Sequence, residues 1–237
     1  MIIRADLHIH SCDDPFDNLS QTIAQIVDRA AARGLNCLAI TNHTAFTWDE
    51  AAAADARARG VVLIPAIEAR IQHADVIILN ADARAEELRT FDDLRRYRMP
   101  HHCVIAPHPF YPFTHSLHGA LVEHGDLFDA VEISPFYLPW CDRFNARARR
   151  AASRLGLPLV CNTDAHNLWQ LGRSWTEIET PALTAEAVAH AIRAGHCRPV
   201  CRRLSPFHIG WFWLRGSIRW RLREFREWRA RTQRMVK

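Results

Sequence analysis

The sequence has little of several features that would place it in a special class of proteins. No apolar run approaches the roughly 18–20 residues that a transmembrane helix needs, and the first residues lack the charged and apolar stretches of a secretory signal. Only 9 Gly and 12 Pro occur in 237 residues, which excludes collagen-like and low-complexity chains. Seven Cys, an odd number scattered along the chain, fit reduced thiols better than a disulfide framework. We therefore expect a cytoplasmic protein.

Two common functional motifs are missing as well. No Gly-x-Ser-x-Gly elbow presents a nucleophilic serine, and no Gly-x-Gly-x-x-Gly follows a strand to bind a dinucleotide. Hydrophobic residues make up 49% and charged residues 24% of the chain, the balance of a globular protein with a core. What is abundant is histidine, with 14 residues. Their positions carry the argument about function.

Short apolar stretches alternate with helical patterns from residue 2 to residue 200. Each apolar stretch has the length of a strand, and each of four helical patterns stops at a Gly, which is typical of helix ends. This alternation predicts parallel strands joined by helices, and about seven strands in some 200 residues favour a barrel over an open sheet. Strands are predicted at 2–7, 37–41, 61–67, 75–79, 103–106, 130–133 and 157–161, and helices at 22–33, 48–59, 142–155 and 185–194.

Histidines and acidic residues lie at or near the ends of these strands. His8 and His10 are two residues apart, so in an extended chain both side chains point to the same face. In a parallel barrel the carboxyl ends of the strands meet at one rim, where such groups would converge. A single His at a strand end is more often a surface or hydrogen-bonded residue than a ligand. The whole series nevertheless favours a metal site, because burying it without a cation would leave several polar groups unpaired.

Five short motifs follow one another in the order and spacing of the PHP (polymerase and histidinol phosphatase) family. They are Asp6-x-His8-x-His10-Ser11, Thr41-x-His43, Ile67-Glu68, His108-Pro109 and Asp164-x-His166. Over about residues 2–200 the sequence resembles that family. The resemblance implies a distorted seven-stranded (β/α) barrel of TIM-like type that holds up to three metal ions and hydrolyses phosphate esters.

The resemblance also implies which residues bind the ions. Two or three divalent ions are expected, and a set of imidazoles and carboxylates suits Zn, Mn or Fe. Glu68 would be shared between the first two ions. The implied ligands are His8, His10, Glu68 and Asp164 for the first ion, Glu68, His108 and, as a further candidate, His73 for the second, and His43, His166 and either Asp14 or Asp17 for the third.

The sequence departs from the family at two places that do not remove an implied ligand. The family usually has Asp before the His of the second motif, where this chain has Asn42, so a carboxylate around the site is missing. The Gly-Ser-Asp often seen in the last motif is replaced by Asn162-Thr163-Asp164.

The expected chemistry is hydrolysis of a phosphomonoester or phosphodiester by a metal-activated water, with Glu68 and Asp164 as the catalytic ligands. Arg173 is the first candidate for binding the substrate phosphate, and Arg70 is the alternative. The aromatic run 108–113 would either line the pocket or close its mouth. The substrate would be a phosphorylated small molecule or a nucleotide, as in a histidinol-phosphate phosphatase, a nucleotide phosphatase or a nuclease. The alternative outside enzymes is a non-catalytic, metal-containing barrel that binds membrane or nucleic acid through its basic C-terminal tail.

Residues 206–237 differ from the rest of the chain in charge and composition. They hold eight Arg and one Lys against two Glu, and four of the eight Trp. Apolar residues and arginines recur there at spacings of three or four, which predicts an amphipathic basic C-terminal helix. We therefore predict two units, residues 1–205 and residues 206–237. The helix would pack on the barrel or on a second copy of the chain, lie on an anionic membrane surface, or bind nucleic acid.

Overall fold

Ten strands form two five-stranded sheets in the computed structural model, which describes residues 1–136, 142–203, 205, 207 and 210. The strands are β1 (Ile2–Ile9), β2 (Cys37–Ile40), β3 (Val62–Ile64), β4 (Ala66–Ile71), β5 (Ala74–Leu79), β6 (Cys103–Ala106), β7 (Ala130–Ile133), β8 (Leu159–Cys161), β9 (Trp175–Glu179) and β10 (Cys197–Val200). The first sheet has the order β10-β9-β1-β2-β3 and the second has the order β4-β5-β6-β7-β8. Each sheet contains both parallel and antiparallel neighbours.

Helices connect several of the strands and begin and end at residues suited to those positions. Thr22 accepts a hydrogen bond from the backbone of Gln25 and forms a capping box with it at the start of α1. Gly156 ends α5 with a φ of 69°, a left-handed conformation that glycine adopts without a steric cost. The α-helices are α1 (Ile23–Ala32), α2 (Glu50–Ala58), α3 (Phe91–Tyr97), α4 (Ala120–Glu123), α5 (Arg143–Leu155) and α6 (Ala185–Arg193), and two 3-10 helices span Ala83–Glu87 and Gly125–Leu127.

The α/β class is confirmed, but the described residues form two mixed sheets and not one closed barrel of seven parallel strands. The strand predicted at 61–67 is divided at Pro65, which lacks a backbone N–H, and its two halves belong to different sheets. The second half turns back at Gln72-His73 to make an antiparallel hairpin, where the prediction had a parallel crossover. The strands β9 and β10 were not predicted.

The two sheets approach each other at the residues that carry the predicted ligands. One isolated bridge joins Ile9, at the end of β1, to Ala165, which follows β8. A second bridge joins His43, which follows β2, to Glu68 in β4. The pairing of β1 with β2 also shifts register between Asp6 and Ile9, beside His8. Irregular pairing of this kind changes the direction of a side chain, and it is common next to functional sites.

Buried apolar residues hold this arrangement together in three groups. One group lies between the two sheets and includes Leu7, Ile77, Ile105 and Val160. The other two cover the outer faces, where α1 and α2 pack on the first sheet and α3, α4 and α5 pack on the second. The site is therefore built on a rigid, densely buried scaffold.

No helix in the described ranges is long and apolar enough to cross a membrane. The segment 206–237 lies outside the described residues except for positions 207 and 210. The division into two units, the amphipathic helix and its alternative partners stay predictions.

Candidate metal centre

The four residues implied for the first ion lie together in one buried group. His8 Nε2 is 3.3 Å from Glu68 Oε1 and 3.4 Å from Asp164 Oδ1. His10 Nε2 is 3.2 Å from the same oxygen of Asp164 and 3.5 Å from Glu68 Oε2. The side chains of both histidines are 0% exposed and that of Glu68 is 1% exposed. The structure thus brings the four residues implied for the first ion together.

Glu68 lies between two sets of imidazoles. Besides His8, its Oε1 faces His108 Nε2 at 3.7 Å. Its Oε2 lies 3.2 Å from His43 Nε2. A carboxylate with different nitrogens facing each of its two oxygens has the arrangement of a ligand shared between two cations.

Asp14 and Asp17, the two alternatives for the third ion, contact the cluster in different ways. Asp14 Oδ2 lies 2.9 Å from Nδ1 of both His10 and His43, and it accepts the backbone N–H of His43 at 2.9 Å. Asp17 Oδ2 lies 3.0 Å from His166 Nε2 and 3.9 Å from His43 Nδ1. Asp14 therefore holds two imidazole rings so that each Nε2 points toward Glu68, whereas Asp17 faces a predicted ligand directly.

Glu132 is a buried carboxylate to which the sequence analysis assigned no role. Its oxygens lie 3.2 and 3.3 Å from His8 Nδ1. They also accept the backbone N–H of His108 at 3.0 Å and the side-chain N–H of Asn162 at 2.8 Å. Because Nδ1 of His8 is engaged by Glu132, Nε2 is left to face Glu68 and Asp164. The signal in the sequence was its place in the strand 130–133, among the other acidic residues near strand ends.

Two of the ligand positions have a strained backbone. His108 has a φ of 29° and Asp164 a φ of 49°, in the left-handed region that residues other than glycine seldom adopt. The bond from His108 N–H to Glu132 holds the first, and hydrogen bonds of Ala165 N–H to His8 and of His10 N–H to Ala165 hold the second. Strain of this kind, of order 1–3 kcal/mol, persists where the surroundings fix the backbone, often at functional sites.

In the described part of the chain, five buried polar atoms of the implied ligands have no hydrogen-bond partner. They are His8 Nε2, His10 Nε2, Glu68 Oε1, Glu68 Oε2 and His108 Nδ1. An unsatisfied buried polar atom costs about 1–3 kcal/mol. Imidazole nitrogens and carboxylate oxygens are the ligands of Zn, Mn and Fe, so these atoms fit divalent cations.

Mutual electrostatics show how strongly the cluster attracts positive charge. Burial alone would lower the pKa of His8, but the carboxylates of Asp164 and Glu68 raise it well above its usual value. The pKa of His43 is raised to about 9, because Glu68 and Asp14 outweigh the effect of burial. Burial by itself would raise the pKa of Glu68, yet the facing charges of His8 and His43 lower it. Without a metal ion, the carboxylates of the cluster thus favour protonated, positively charged imidazoles.

His73 is not part of the cluster, which corrects the prediction. It lies exposed in the turn between β4 and β5, with a φ of 72°. Asp75, at the start of β5, lies beside Glu68 instead and is 1% exposed. It belongs to a group with His43 and Glu68 whose ligand atoms lie within 4.8 Å of one another. Its Oδ2 faces His115 Nε2 at 3.4 Å and has no hydrogen-bond partner among the described residues. The prediction missed Asp75 because it did not include the β4–β5 hairpin that turns this residue back toward Glu68.

Arg173 is likewise away from the cluster. Its side chain is exposed, donates from Nε to the carbonyl of Trp169 at 3.1 Å, and lies over the Trp169 ring at 5.2 Å. No hydrogen bond or ion pair joins it to the described ligand residues. The alternative, Arg70, forms an ion pair with Asp75 and so lies beside the cluster. Of the two arginines, it is Arg70 that the fold brings to the site.

Asn42, where the family usually has Asp, has a structural role here. Its Oδ1 accepts the backbone N–H of Ser11 at 2.8 Å. Its Nδ2 donates to the hydroxyls of Ser11 and Thr47, each at 2.9 Å. The amide ties the loop after β1 to the loop after β2, and a carboxylate could not make the two donated bonds.

Known proteins resemble this chain in part of its sequence and in its fold. Residues 142–197 match the model of the PHP-associated family. No curated protein sequence matches the chain. A two-domain protein from Bacteroides vulgatus that contains a predicted PHP-like metal-dependent phosphoesterase has a TM-score of 0.61 at 16% identity, over 85% of this chain and 65% of its own length.

Two further solved structures have the same fold. PsfC from Pseudomonas syringae has a TM-score of 0.60 at 17% identity, over 93% of this chain and 99% of its own. The lesion-specific endonuclease Q from Pyrococcus furiosus has a TM-score of 0.58 at 19% identity, over 84% of this chain and 58% of its own. The chain thus spans less than two thirds of two of these proteins. The chain therefore matches the PHP-associated family over residues 142–197 and shares its fold with these solved structures.

Proposed function

We propose that this protein is a metal-dependent hydrolase of phosphate esters. The observation that carries the proposal is the set of buried ligand atoms of His8, His10 and Glu68 that lie beside Asp164 and have no hydrogen-bond partner in the described ranges. The PHP-like phosphoesterase from Bacteroides vulgatus, with the same fold, supports it.

Two or three divalent ions, Zn, Mn or Fe, would be held in adjoining positions. The first would take the four residues described above, and Glu68 would be shared with the second. For a position beside Glu68, the buried Asp75, which groups with Glu68 and His43, is a better candidate than the exposed His73. For the third, we favour Asp17, which faces His166 Nε2, over Asp14, which groups with His10 and His43 at their Nδ1 atoms.

When bound, the ions would lower the pKa of a water molecule toward neutrality and attract the phosphoryl oxygens. The side chains of this chain position those ions. Glu68 and Asp164 supply negative charge, and Glu132 and Asp14 keep the imidazoles turned toward them. Arg70, which forms an ion pair with Asp75 beside the cluster, would bind a substrate phosphate, since a guanidinium forms strong paired hydrogen bonds with phosphate oxygens.

The substrate class is a phosphorylated small molecule or a nucleotide. Endonuclease Q, which has the same fold at 18% identity, has been solved in complex with a 27-mer duplex carrying an abasic lesion. That complex supports nucleic acid as one substrate class to test. A panel of sugar phosphates, nucleotides and oligonucleotides separates a small-molecule phosphatase from a nuclease.

The test of the proposal is hydrolysis of generic aryl phosphates, a monoester and a diester, by the purified chain with Mn²⁺ or Zn²⁺. We expect turnover that His10→Ala and Asp164→Asn abolish and that His73→Ala leaves in place. Bound metal without hydrolysis of any phosphate in the panel would instead support the alternative, a metal-containing protein without turnover. Activity that survives both ligand substitutions would contradict the assignment of the site.

A further inference from the structure

Helix α5 carries an unusual concentration of positive charge. Its thirteen residues include five arginines and no acidic residue. All five arginines are exposed, and the remaining exposed residue of the helix is Ser153. The arginines are Arg143, Arg147, Arg149, Arg150 and Arg154.

Four of these arginines form one stripe along the helix. Arg143, Arg147, Arg150 and Arg154 follow one another at spacings of four, three and four residues, which places them on one face of a helix with 3.6 residues per turn. With a rise of 1.5 Å per residue, neighbouring positions are about 4.5–6 Å apart along the axis and the stripe is about 16 Å long. Arg149 lies off this stripe, which we call the α5 arginine stripe.

The charges of the stripe are not neutralised by ion pairs within the described ranges. No carboxylate described in residues 1–136 or 142–203 forms an ion pair with any arginine of α5. Seven of the sixteen described arginines outside α5 form an ion pair, as Arg95 does with Asp126 and Arg198 with Glu177. The stripe is therefore a surface where positive charge is left for a partner.

One end of the stripe packs against the loop that follows β6 and carries His108. The Arg147 guanidinium lies 4.7 Å from the ring of Phe110, two residues after the ligand His108. The ring of Phe144 lies 5.1 Å from that of Tyr111. Asn145 exchanges two hydrogen bonds with the backbone of Ser134, just after β7, which fixes this end of the helix to the sheet.

We propose that the α5 arginine stripe binds the phosphate backbone of a nucleic acid strand and guides that strand to the metal centre. Cleavage of the bound strand rests on the proposed function, whereas binding of the strand does not. Regularly spaced guanidinium groups complement a polymer with regularly spaced phosphates, which Arg binds through paired hydrogen bonds. A helix that lies in a membrane surface presents large apolar residues beside its cationic ones, whereas the exposed face of α5 has none.

The proposal is tested by the binding of a labelled single-stranded oligonucleotide of about 20 nucleotides to the full chain. Fluorescence anisotropy measures the affinity in EDTA between about 50 and 200 mM salt. The variant Arg150→Gln/Arg154→Gln removes two charges of the stripe. The matched control, Arg149→Gln/Arg57→Gln, removes two exposed charges of which one lies on the same helix but off the stripe. The basic segment 206–237 is present in every variant and contributes equally.

We expect the stripe variant to bind roughly tenfold more weakly at low salt, with a salt slope that is smaller by about 1.4, whereas the control changes affinity less than about twofold. Arg150→Lys/Arg154→Lys should keep most of the affinity and slope, which separates loss of charge from damage to the helix. Equal losses in the stripe and control variants would overturn the proposal. So would a stripe variant that binds the oligonucleotide normally but no longer binds vesicles containing phosphatidylserine. Since EDTA removes turnover from the measurement, either result is independent of whether the metal site hydrolyses phosphate esters.

Discussion

Glu132 contacts Nδ1 of His8, the ring nitrogen that does not face Glu68, with both carboxylate oxygens within 3.3 Å. The same carboxylate accepts the backbone N–H of His108, a second predicted ligand, at 3.0 Å. One buried group thus sets the orientation of two ligands that come from different sheets. Partners of this kind are part of a metal site even though they do not touch the ion.

Glu132→Gln should weaken metal binding by about 10–100-fold without unfolding the protein, because an amide cannot accept from all three donors at once. The measurement is titration of the metal-free chain with Zn²⁺ by calorimetry, with circular dichroism to check the fold. Glu123→Gln, at a side chain that is 75% exposed, is the matched control and should bind metal as the parent does. Unchanged affinity in Glu132→Gln would contradict the orienting role.

Substitution of Asp17 and Asp14 should separate a ligand from an orienting residue. Asp17→Asn should lower the number of ions bound at saturation, because Asp17 faces His166 at 3.0 Å. Asp14→Asn should keep that number but weaken binding, because it removes an acceptor shared by His10 and His43. Metal content after equilibrium dialysis, measured by plasma mass spectrometry over a range of free metal, distinguishes the two effects. The reverse pattern would make Asp14 the ligand.

Asp75→Asn and His73→Ala should differ in the same assay. Asp75 is buried beside Glu68 and His43, so its loss should reduce the metal content or the affinity of one position. His73 is exposed in a turn, and its removal should leave the metal content unchanged. A lower metal content in His73→Ala alone would restore the ligand set that the sequence resemblance implied.

The stability of the metal-free chain should fall as the pH rises from about 6.5 to about 9. The pKa of His43 is raised from 6.5 to about 9 in the folded state, so the stabilisation from its protonated form is complete below pH 6.5 and is lost as the pH passes 9. Buried Asp6, whose pKa is raised to about 7, acts in the same direction, since it loses its favoured protonated form over part of this range. The melting temperature in EDTA should drop by roughly 5 °C across this range.

His43→Gln is the control for that measurement and should flatten the pH dependence. Added Zn²⁺ should reverse it, because metal replaces the protons on the imidazoles and binds more tightly as they are lost. A melting temperature of the metal-free chain that rises between pH 6.5 and 9 would contradict the contacts of His43 with Glu68 and Asp14.

Much of the site was predictable from residue spacing. The pair His8 and His10 and the acid Glu68 are marked by their position in or just after apolar strands, a local pattern that holds wherever the strands pack. The helix ends at Gly34 and Gly156 were predictable for the same reason, since the left-handed conformation there favours glycine. Arg173 shows the limit, because closeness in sequence to Asp164 did not bring it to the cluster.

The amino-acid sequence by itself determined which strands end in imidazoles and carboxylates, since the alternation of apolar and polar residues acts over a few neighbours. Only the tertiary structure decided that Pro65 divides a strand between two sheets, that Asp75 and not His73 lies beside Glu68, and that Glu132 supports His8 from 124 residues away. Such pairings depend on how distant elements pack against one another. No local spacing encodes that packing, which is why it had to be seen in three dimensions.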